Sequence, residues 1–294
     1  MIRPLLQDDA FLEDVTRARQ SPQELHLWWL GQSGFLIQWQ GRHLLIDPYL
    51  SDSLTRKYAG TDRPHVRMTE RVIDPGRLDF IDAVTSSHNH TDHLDAETLI
   101  PLMQANAGLK LLVGGANLAF AAERLGVPTE RLTPLHAAGP GVSVPPFQFH
   151  AIPSAHETLE YDEQGEPRCL GLVLQAGPWT VYHSGDCVPH EGLPGQLGRW
   201  KIDLALLPIN GRDAARGVPG NFTAEEAVQL GREIEAGLVV PCHYEMFEFN
   251  SVPPQEFVRA AKRGGQPYRL LRAGERLGLK GGQPEGNLAK SSYS

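Results

Sequence analysis

Residues 81–93 read Ile81-Asp82-Ala83-Val84-Thr85-Ser86-Ser87-His88-Asn89-His90-Thr91-Asp92-His93. The first seven residues have the length and β-branched content of a buried strand, and residues 94–104 have the pattern of a helix. Three histidines and one aspartate therefore lie in a loop at the carboxyl end of a predicted strand, where α/β sheets usually place their reactive groups. A solvated helix-capping loop is the alternative, but four ligand-type side chains within six residues favour a metal site.

The spacing within this loop predicts two separate ion sites. His88 and His90 are two residues apart, so in extended backbone they point the same way and can share one ion. Asp92 and His93 lie further along the turn and can hold a second. Six residues cannot complete two coordination spheres, so further ligands are expected at other strand ends. The candidates that directly follow predicted strands are His156, Asp186 and His243.

These seven side chains match the ligand set of a two-metal hydrolytic centre. Neutral imidazole binds Zn, Fe, Ni or Mn, whereas carboxylate favours harder ions. Histidine-rich ligation therefore favours two zinc ions, and the two carboxylates leave manganese or iron open.

Composition limits the class of partner. The chain has 294 residues, 41% of them hydrophobic, which is enough for a sizeable core. Its formal charge of −8 argues against nucleic acid, whose binding proteins usually carry a basic stripe. Residues 56–71 are locally basic, and we interpret them as a solvated surface loop or as an anion-attracting rim beside an active site.

The three cysteines are odd in number and lack a C-x-x-C spacing, so neither a disulfide framework nor a thiolate zinc cage is indicated. Residues 1–16 contain no apolar run of signal-peptide length, and no later stretch approaches the roughly 18 apolar residues that a membrane span needs. We therefore predict a cytoplasmic protein that does not insert into membranes. A homo-oligomer is left open.

The order of elements predicts an α/β fold. Residues 27–39 and 42–47 have the pattern of a hairpin that turns at Gln40-Gly41, with a bulge or close backbone approach at Ser33-Gly34. A capping box begins a helix at Thr223. The remaining predicted strands are residues 110–113, 142–152, 169–175, 179–183, 204–207 and 238–241, and the remaining predicted helices are 116–125 and 254–263.

Strands that are interspersed with helices, without strict alternation, predict two mixed sheets packed together with helices outside, an αββα sandwich. We expect one domain over residues 1–280. Residues 281–294 are rich in Gly, Ser, Asn and Pro, which predicts a disordered tail.

The motif H-x-H-x-D-H at residues 88–93 resembles the signature of the metallo-β-lactamase superfamily. Within that superfamily the chain is most similar to the L-ascorbate-6-phosphate lactonase group of metal-dependent hydrolases. It resembles the N-acyl-phosphatidylethanolamine phospholipase D group more weakly, through residues 87–95. The resemblance covers about residues 26 to 260, and the segments that carry it are residues 28–31, 81–84, 182–186, 202–205 and 239–243.

This resemblance implies a role for each ligand. It assigns a first ion to His88, His90 and His156. It assigns a second ion to Asp92, His93 and His243. Asp186 would bridge the two ions, and Asp47 would orient a ligand imidazole by a hydrogen bond from outside the ligand set.

The expected reaction is hydrolysis of a small, anionic lactone or related ester by a metal-bound hydroxide. Asp92 would accept a proton, and Asp92 and Asp186 are the predicted catalytic residues. The predicted substrate-binding residues are Asn210, Arg212, Tyr49 and His183, of which Arg212 could hold an anion bidentately. The alternatives are a phosphodiesterase, either phospholipase D-like or a nuclease, and a metal-binding scaffold without turnover.

Overall fold

The structure, a computed structural model, describes residues 1–281 and 283–284. Its strands are β1 (Leu25–Gly31), β2 (Gly34–Trp39), β3 (Arg42–Ile46), β4 (Ala83–Ser86), β5 (Lys110–Gly114), β6 (Leu132–Leu135), β7 (Val142–Val144), β8 (Phe147–Pro153), β9 (Leu170–Ala176), β10 (Trp179–His183), β11 (Leu204–Pro208), β12 (Leu238–Cys242), β13 (Arg276–Lys280) and β14 (Gln283–Pro284). Its α-helices are α1 (Asp8–Ala18), α2 (Ser53–Lys57), α3 (Ala96–Ala105), α4 (Leu118–Leu125), α5 (Leu193–Leu197), α6 (Ala224–Glu233) and α7 (Gln255–Gly264).

The described strands form two mixed sheets. The larger has the order β14-β13-β1-β2-β3-β4-β5-β6, and the smaller has the order β12-β11-β10-β9-β8-β7. Strands β3 to β6 are parallel, as are β10 to β12, and the remaining pairs are antiparallel. Helix α4 contacts the larger sheet, whereas α6 contacts the smaller one and packs against α7. This arrangement confirms the predicted αββα sandwich.

Apolar side chains from both sheets form one continuous core. Every residue of β1, β2, β4, β10, β11 and β12 is buried, as expected for strands that are covered on both faces. Trp28, Trp29 and Trp179 are the largest fully buried side chains. The packed sheets form a rigid base, and the loops at their carboxyl ends carry the candidate site.

The predicted hairpin that turns at Gln40-Gly41 is formed by β2 and β3, but its predicted first strand, residues 27–39, is two strands, β1 and β2. The chain reverses in a tight turn between β1 and β2, with Gly31 paired to Gly34 and a register shift between Trp29 and Gly31, and of the two expected features at Ser33-Gly34 it shows the close backbone approach. Gln32 turns the chain with a φ of +51°. A Cβ at Gly34 would lie 3.1 Å from the Gly31 carbonyl oxygen, so glycine allows this close approach.

The predicted single strand over residues 142–152 is two strands, β7 and β8. They are interrupted at Pro145-Pro146 because proline has no amide hydrogen to donate to a ladder. Helices α1, α2 and α5 and strands β6 and β13 were not predicted.

The predicted disordered tail, residues 281–294, lies outside the described residues except for residues 281 and 283–284. Gln283 and Pro284 form β14, which pairs with β13. Within residues 1–281 and 283–284, no helix combines the length and apolar character that crossing a membrane requires.

Candidate metal centre

The seven predicted ligands lie in loops that follow four strands. His88 to His93 follow β4 of the larger sheet. The smaller sheet contributes His156 after β8, Asp186 after β10 and His243 after β12. The side chains of His88, His93, Asp186 and His243 are almost completely buried, although they are polar. The two sheets therefore supply the two halves of one site.

Asp186 occupies the centre of this cluster. Its Oδ1 lies 3.3 Å from His93 Nε2, and its Oδ2 lies 3.5 Å from His243 Nε2 and 3.6 Å from His156 Nε2. Asp92 Oδ2 lies 3.7 Å from His93 Nε2 and 3.8 Å from His243 Nε2. One carboxylate thus contacts histidines from both sheets, which is the position a bridging ligand would need.

Close packing of the backbone brings the two sheets together at this point. Gly185 has a φ of +59°, and a Cβ there would lie 2.7 Å from the Leu170 carbonyl oxygen and 2.9 Å from Ser87 Cβ. Any larger residue would clash with Leu170 and Ser87 and displace the backbone next to Asp186. His243 also has a positive φ, +60°, and its amide donates to the Gln32 carbonyl oxygen at 2.9 Å. Such backbone strain in a non-glycine residue is typical of functional sites.

Hydrogen bonds from outside the cluster fix the orientation of the imidazoles. His93 Nδ1 donates to Asp47 Oδ2 at 2.6 Å. His88 Nδ1 donates to Ser87 Oγ at 3.0 Å, and this hydroxyl in turn donates to Asp47. His156 Nδ1 donates to the Gly220 carbonyl oxygen at 3.0 Å. Because these acceptors hold a proton on each Nδ1, each Nε2 presents its lone pair to the cluster.

The electrostatic environment favours a cation among the carboxylates. Burial alone would lower the pKa of His93, but the Asp186 and Asp92 carboxylates outweigh it and raise that pKa well above its usual value. Burial opposes ionisation of Asp186, yet His93 and His243 hold its pKa well below the usual range. Burial, with His93 and His90 nearby, keeps the pKa of His88 well below its usual value, so this imidazole is neutral and its Nε2 can coordinate a cation.

The residues present fit divalent metal ions. His88 Nε2 and His93 Nε2 are buried and have no hydrogen-bond partner in the described part of the chain. Leaving such an atom unsatisfied costs about 1–3 kcal/mol, and coordination would remove this cost. Three groups of side chains have ligand atoms within 4.8 Å of one another: His88, His90 and His156; Asp92, His93 and His243; and His88, His93 and Asp186.

A cleft of about 430 Å³ lies over the cluster. His90, Asp92, His156, Asp186 and His243 reach its surface. The cleft therefore gives a small molecule direct access to the candidate ligands.

Two other residues of the cleft, Gln32 and Arg124, were not predicted from the sequence. Gln32 Nε2 donates to Asp92 Oδ2 at 2.7 Å and lies 2.9 Å from His243 Nε2. Its only sequence signal is that it follows Gly31 at the end of the motif in β1. Arg124 comes from α4, and its helix pattern carries no signal of a function.

The four predicted substrate-binding side chains do not line this cleft. Tyr49 is buried, its hydroxyl accepts from the Leu54 amide at 3.0 Å, and burial raises its pKa to about 12. His183 Nε2 donates to the Ser33 carbonyl oxygen at 3.0 Å, and its Nδ1 accepts from the Gly185 amide at 3.1 Å. These two side chains stabilise the loops around the site.

Asn210 and Arg212 are also engaged elsewhere. Asn210 Nδ2 donates to Asn250 Oδ1, and Asn210 Oδ1 accepts from Asn221 Nδ2, each at 3.0 Å. Arg212 binds Glu226 bidentately at 2.5 and 2.7 Å. The Arg212 guanidinium, which was predicted to bind an anion of the substrate, thus binds a carboxylate of the capping box at α6, and it does not line the cleft.

Comparisons with known proteins match this description. A family model described as the β-lactamase superfamily domain matches residues 42–244. A protein named as a probable L-ascorbate-6-phosphate lactonase, from Escherichia coli, is 25% identical over 272 residues, covering 83% of this chain and 76% of the relative.

Two solved structures have a similar fold. An isothiocyanate hydrolase from Delia radicum gut bacteria has a TM-score of 0.67 at 19% identity, covering 86% of this chain and 98% of that chain. Igni18, a metallo hydrolase from the archaeon Ignicoccus hospitalis, has a TM-score of 0.63 at 20% identity, covering 88% and 99%.

The two packed sheets, with histidines and aspartates at their carboxyl edge, define an αββα metallo-hydrolase fold. The family match spans most of the residues that build both sheets and the site. The chain therefore belongs to the metallo-β-lactamase superfamily of metal-dependent hydrolases, and it is similar to the ascorbate-phosphate lactonase group. The predicted family resemblance is confirmed.

Proposed function

We propose that this protein is a hydrolase that uses two divalent metal ions to open a small anionic lactone or to cleave a related ester. The observation that carries the proposal is the convergence of seven ligand-type side chains from two sheets, with Asp186 within 3.6 Å of His93, His156 and His243. The names of the lactonase relatives support a lactone as the substrate, and the cationic side chains of Lys57 and Arg124 in the cleft support an anionic one.

The described side chains suggest how the ions would be held. His88, His90 and His156 would bind one ion, and Asp92, His93 and His243 would bind the other. Asp186 would lie between them. When bound, the ions would lower the pKa of a water molecule toward neutrality and polarise the bond to be cleaved. The histidine-rich set favours zinc, and its carboxylates also suit manganese or iron.

Asp92 is the residue that would move a proton in this proposal. It reaches the cleft, and Gln32 holds its Oδ2 by a hydrogen bond of 2.7 Å. Burial opposes ionisation of Asp92, but the nearby His93 lowers its pKa, so the carboxylate is available as a base. A fixed carboxylate at the cleft surface can accept a proton from water and transfer it to the leaving oxygen.

The test combines elemental analysis with a substrate panel on one preparation. The panel contains a γ-lactone, a δ-lactone, a thioester and bis(4-nitrophenyl) phosphate. We expect metal-dependent hydrolysis with the highest kcat/KM on a lactone. A phosphodiester as the best substrate would favour the phosphodiesterase alternative, and a metal-loaded protein that cleaves none of these compounds would favour the scaffold.

The Asp186→Asn variant tests the bridging position. We expect its metal content to fall and its kcat/KM to decrease at least about 100-fold, because both ions would lose a shared ligand. Asp203→Asn is a matched control, since this carboxylate accepts from the Thr180 amide in the same sheet and lies outside the cluster. Unchanged metal stoichiometry in Asp186→Asn would contradict the assignment.

A further inference from the structure

Arg124 is a cationic side chain held beside the predicted ligands. Its Nη1 donates to the Asn89 carbonyl oxygen at 2.7 Å and to the Leu94 carbonyl oxygen at 3.1 Å. Asn89 lies between His88 and His90, so the guanidinium is attached to the ligand loop itself. The Cζ atom of Arg124 lies 4.4 Å from the centre of the Phe120 ring, and both side chains line the cleft. Two carbonyl contacts and a ring therefore fix the direction of this guanidinium.

The charge of Arg124 has no carboxylate partner in the described part of the chain. The side chain is half-buried, and this burial lowers its pKa. The Asp95 carboxylate opposes this decrease in pKa, but its oxygens accept from Ser53 and Thr98. A guanidinium has five donors, and only those on Nη1 have partners in the described chain, so Nε and Nη2 can bind an anion.

The neighbouring basic residues have other partners. Within residues 56–71, Arg56 pairs with Glu97, Arg67 with Asp52 and Arg71 with Asp74. Arg63 donates to the Gly217 carbonyl oxygen at 2.7 Å. Lys57 is the remaining cation of this segment, and it lines the cleft as an exposed side chain. The basic segment therefore contributes to the cleft one exposed ammonium, 5.2 Å from the centre of the Tyr58 ring, whereas Arg124 contributes a half-buried guanidinium held by two carbonyl oxygens.

Besides Phe120, four aromatic rings that pack together line the same cleft, and we call them the ring cluster: Tyr58, His65, Phe247 and Phe249. Tyr58 and His65 stack at 4.2 Å with an interplanar angle of 18°. His65 makes edge contacts with Phe247 at 5.1 Å and with Phe249 at 4.6 Å. Burial lowers the pKa of His65, so its ring is neutral near pH 7 and suits an apolar neighbour. The cluster offers an apolar surface beside the metal ligands.

We propose that Arg124 binds the anionic group of the substrate and that the ring cluster contacts its apolar portion. The substrate is then an organic carboxylate or phosphate with an apolar or planar substituent beside the bond to be cleaved. This inference rests on the proposed hydrolytic function, since it treats the cleft as the substrate site. It replaces Arg212, whose guanidinium binds Glu226, with Arg124 as the specificity-determining arginine.

Binding of stable probes tests this inference separately from turnover. Calorimetric titration of the metal-loaded protein would use phenylphosphonate, whose P–C bond resists hydrolysis, together with benzoate and neutral benzamide. We expect both anions to bind more tightly than benzamide. Arg124→Gln should raise the Kd of both anions about tenfold or more, because a charge-assisted pair is lost, and should leave the Kd of benzamide unchanged. Arg124→Lys should recover part of the lost affinity for the anions.

The matched control is Arg199→Gln. Arg199 also lies over an aromatic ring, 4.6 Å from the centre of Trp200, and donates to the Gln196 carbonyl oxygen at 3.2 Å, but it does not line the cleft. This variant should bind every probe as the parent protein does. For the ring cluster, Phe249→Ala should weaken phenylphosphonate binding and leave methylphosphonate binding unchanged.

Several results would overturn the inference. One is a Kd for phenylphosphonate that is unchanged in Arg124→Gln, and another is the absence of phenylphosphonate binding to the parent protein. A larger loss in Lys57→Gln than in Arg124→Gln would transfer the anion site to Lys57. Loss of metal from Arg124→Gln would show that Arg124 only supports the ligand loop. If the probes bind as expected but the panel of lactones and esters is not cleaved, the hydrolytic function fails while the anion site stands.

Discussion

Asp47 links two ligand histidines without belonging to the cluster of candidate ligands. Its Oδ2 accepts from His93 Nδ1 at 2.6 Å, and its Oδ1 accepts from the Ser87 amide at 2.9 Å. Ser87 Oγ donates to Asp47 and accepts from His88 Nδ1, so Asp47 also orients the His88 ring through Ser87. A single buried carboxylate thus fixes the rings of one predicted ligand of each ion. This agrees with its predicted role as a residue that orients a ligand imidazole.

We predict that Asp47→Asn weakens metal binding about 10–100-fold, the range typical for loss of a group that orients a ligand. The amide keeps the size of the carboxylate, but it has only one acceptor oxygen, so it cannot accept from both His93 Nδ1 and the Ser87 amide. The measurement is a competition titration with a coloured chelator, with Asp203→Asn as the control. Equal metal affinity in Asp47→Asn and the parent protein would show that His93 is oriented by other contacts.

Ligand-type residues were predictable at this scale, because a short motif and the residues after each strand contain them. The other residues that line the cleft were not predictable. Arg124 is separated from His90 by 34 positions, and only the packing of α4 beside the ligand loop turns its guanidinium toward the cleft. Arg212 had a favourable sequence context, but Glu226 folds back as part of a capping box and occupies its guanidinium.

Strand β3 illustrates how an element is constrained at both ends. Asp47 follows its carboxyl end at the site, whereas His43 lies near its amino end in the core. His43 Nε2 donates to Gln38 Oε1 at 3.0 Å, and its ring meets Phe80 edge-on at 4.8 Å. Burial, with Arg19 and Arg42 nearby, lowers the pKa of His43 to about 3. The folded protein therefore keeps this histidine neutral.

This shift in the pKa of His43 predicts a loss of stability in mild acid. Between pH 6.5 and about 3 the unfolded chain binds a proton at His43 that the folded chain does not, so the free energy of unfolding falls as the pH falls. From pH 7 to pH 5 this group should contribute a decrease of about 2 kcal/mol. His43→Phe keeps an aromatic ring and should remove that part of the decrease.

Urea unfolding of both proteins at pH 7 and pH 5 measures this difference. The variant also loses the hydrogen bond to Gln38, but that loss is the same at both pH values, so the readout is the change with pH. Protonation of metal ligands affects both proteins and cancels in the comparison. Parallel decreases in the two proteins would contradict the low pKa of His43.

At the scale of the whole molecule, the candidate centre joins the two sheets. His88, His90, Asp92 and His93 come from the larger sheet, and His156, Asp186 and His243 come from the smaller one. Ions held by both sets would bind the folded state and not the unfolded chain, in which these segments are far apart. Metal binding should therefore stabilise the contact between the sheets.

We predict that removal of the ions by a chelator lowers the melting temperature. At a free metal concentration 100 times the Kd, one site contributes about 2.7 kcal/mol, and each kcal/mol corresponds to about 2–4 °C in a domain of this size class. The measurement is thermal unfolding with and without chelator, with metal content checked by elemental analysis. Asp186→Asn should show a smaller shift. Identical melting of the metal-loaded and metal-stripped proteins would mean that the sheets hold together without the ions.

Local pattern carried the fold class and the reaction type. Alternating and apolar runs indicate strands because side chains alternate across a sheet. The H-x-H-x-D-H loop indicates a metal site because its four ligand-type side chains are so close in sequence that a single loop can hold them together. The two-sheet sandwich and the family follow from these local signals. The existence of α1, β6 and β13 could not be predicted from such signals, since the hydrophobic patterns of these elements were too weak to distinguish them from loops.

The tertiary structure alone determined which residues line the cleft beside the candidate ligands. Arg124, Gln32 and the ring cluster come from segments far apart in the chain, and they meet only because both sheets end at the same edge. A side chain's direction there depends on packing and on competing partners, as the pairing of Arg212 with Glu226 shows. The spacing of residues in the sequence does not predict which side chains compete for a hydrogen-bond partner, because residues far apart in the chain meet only in the folded protein.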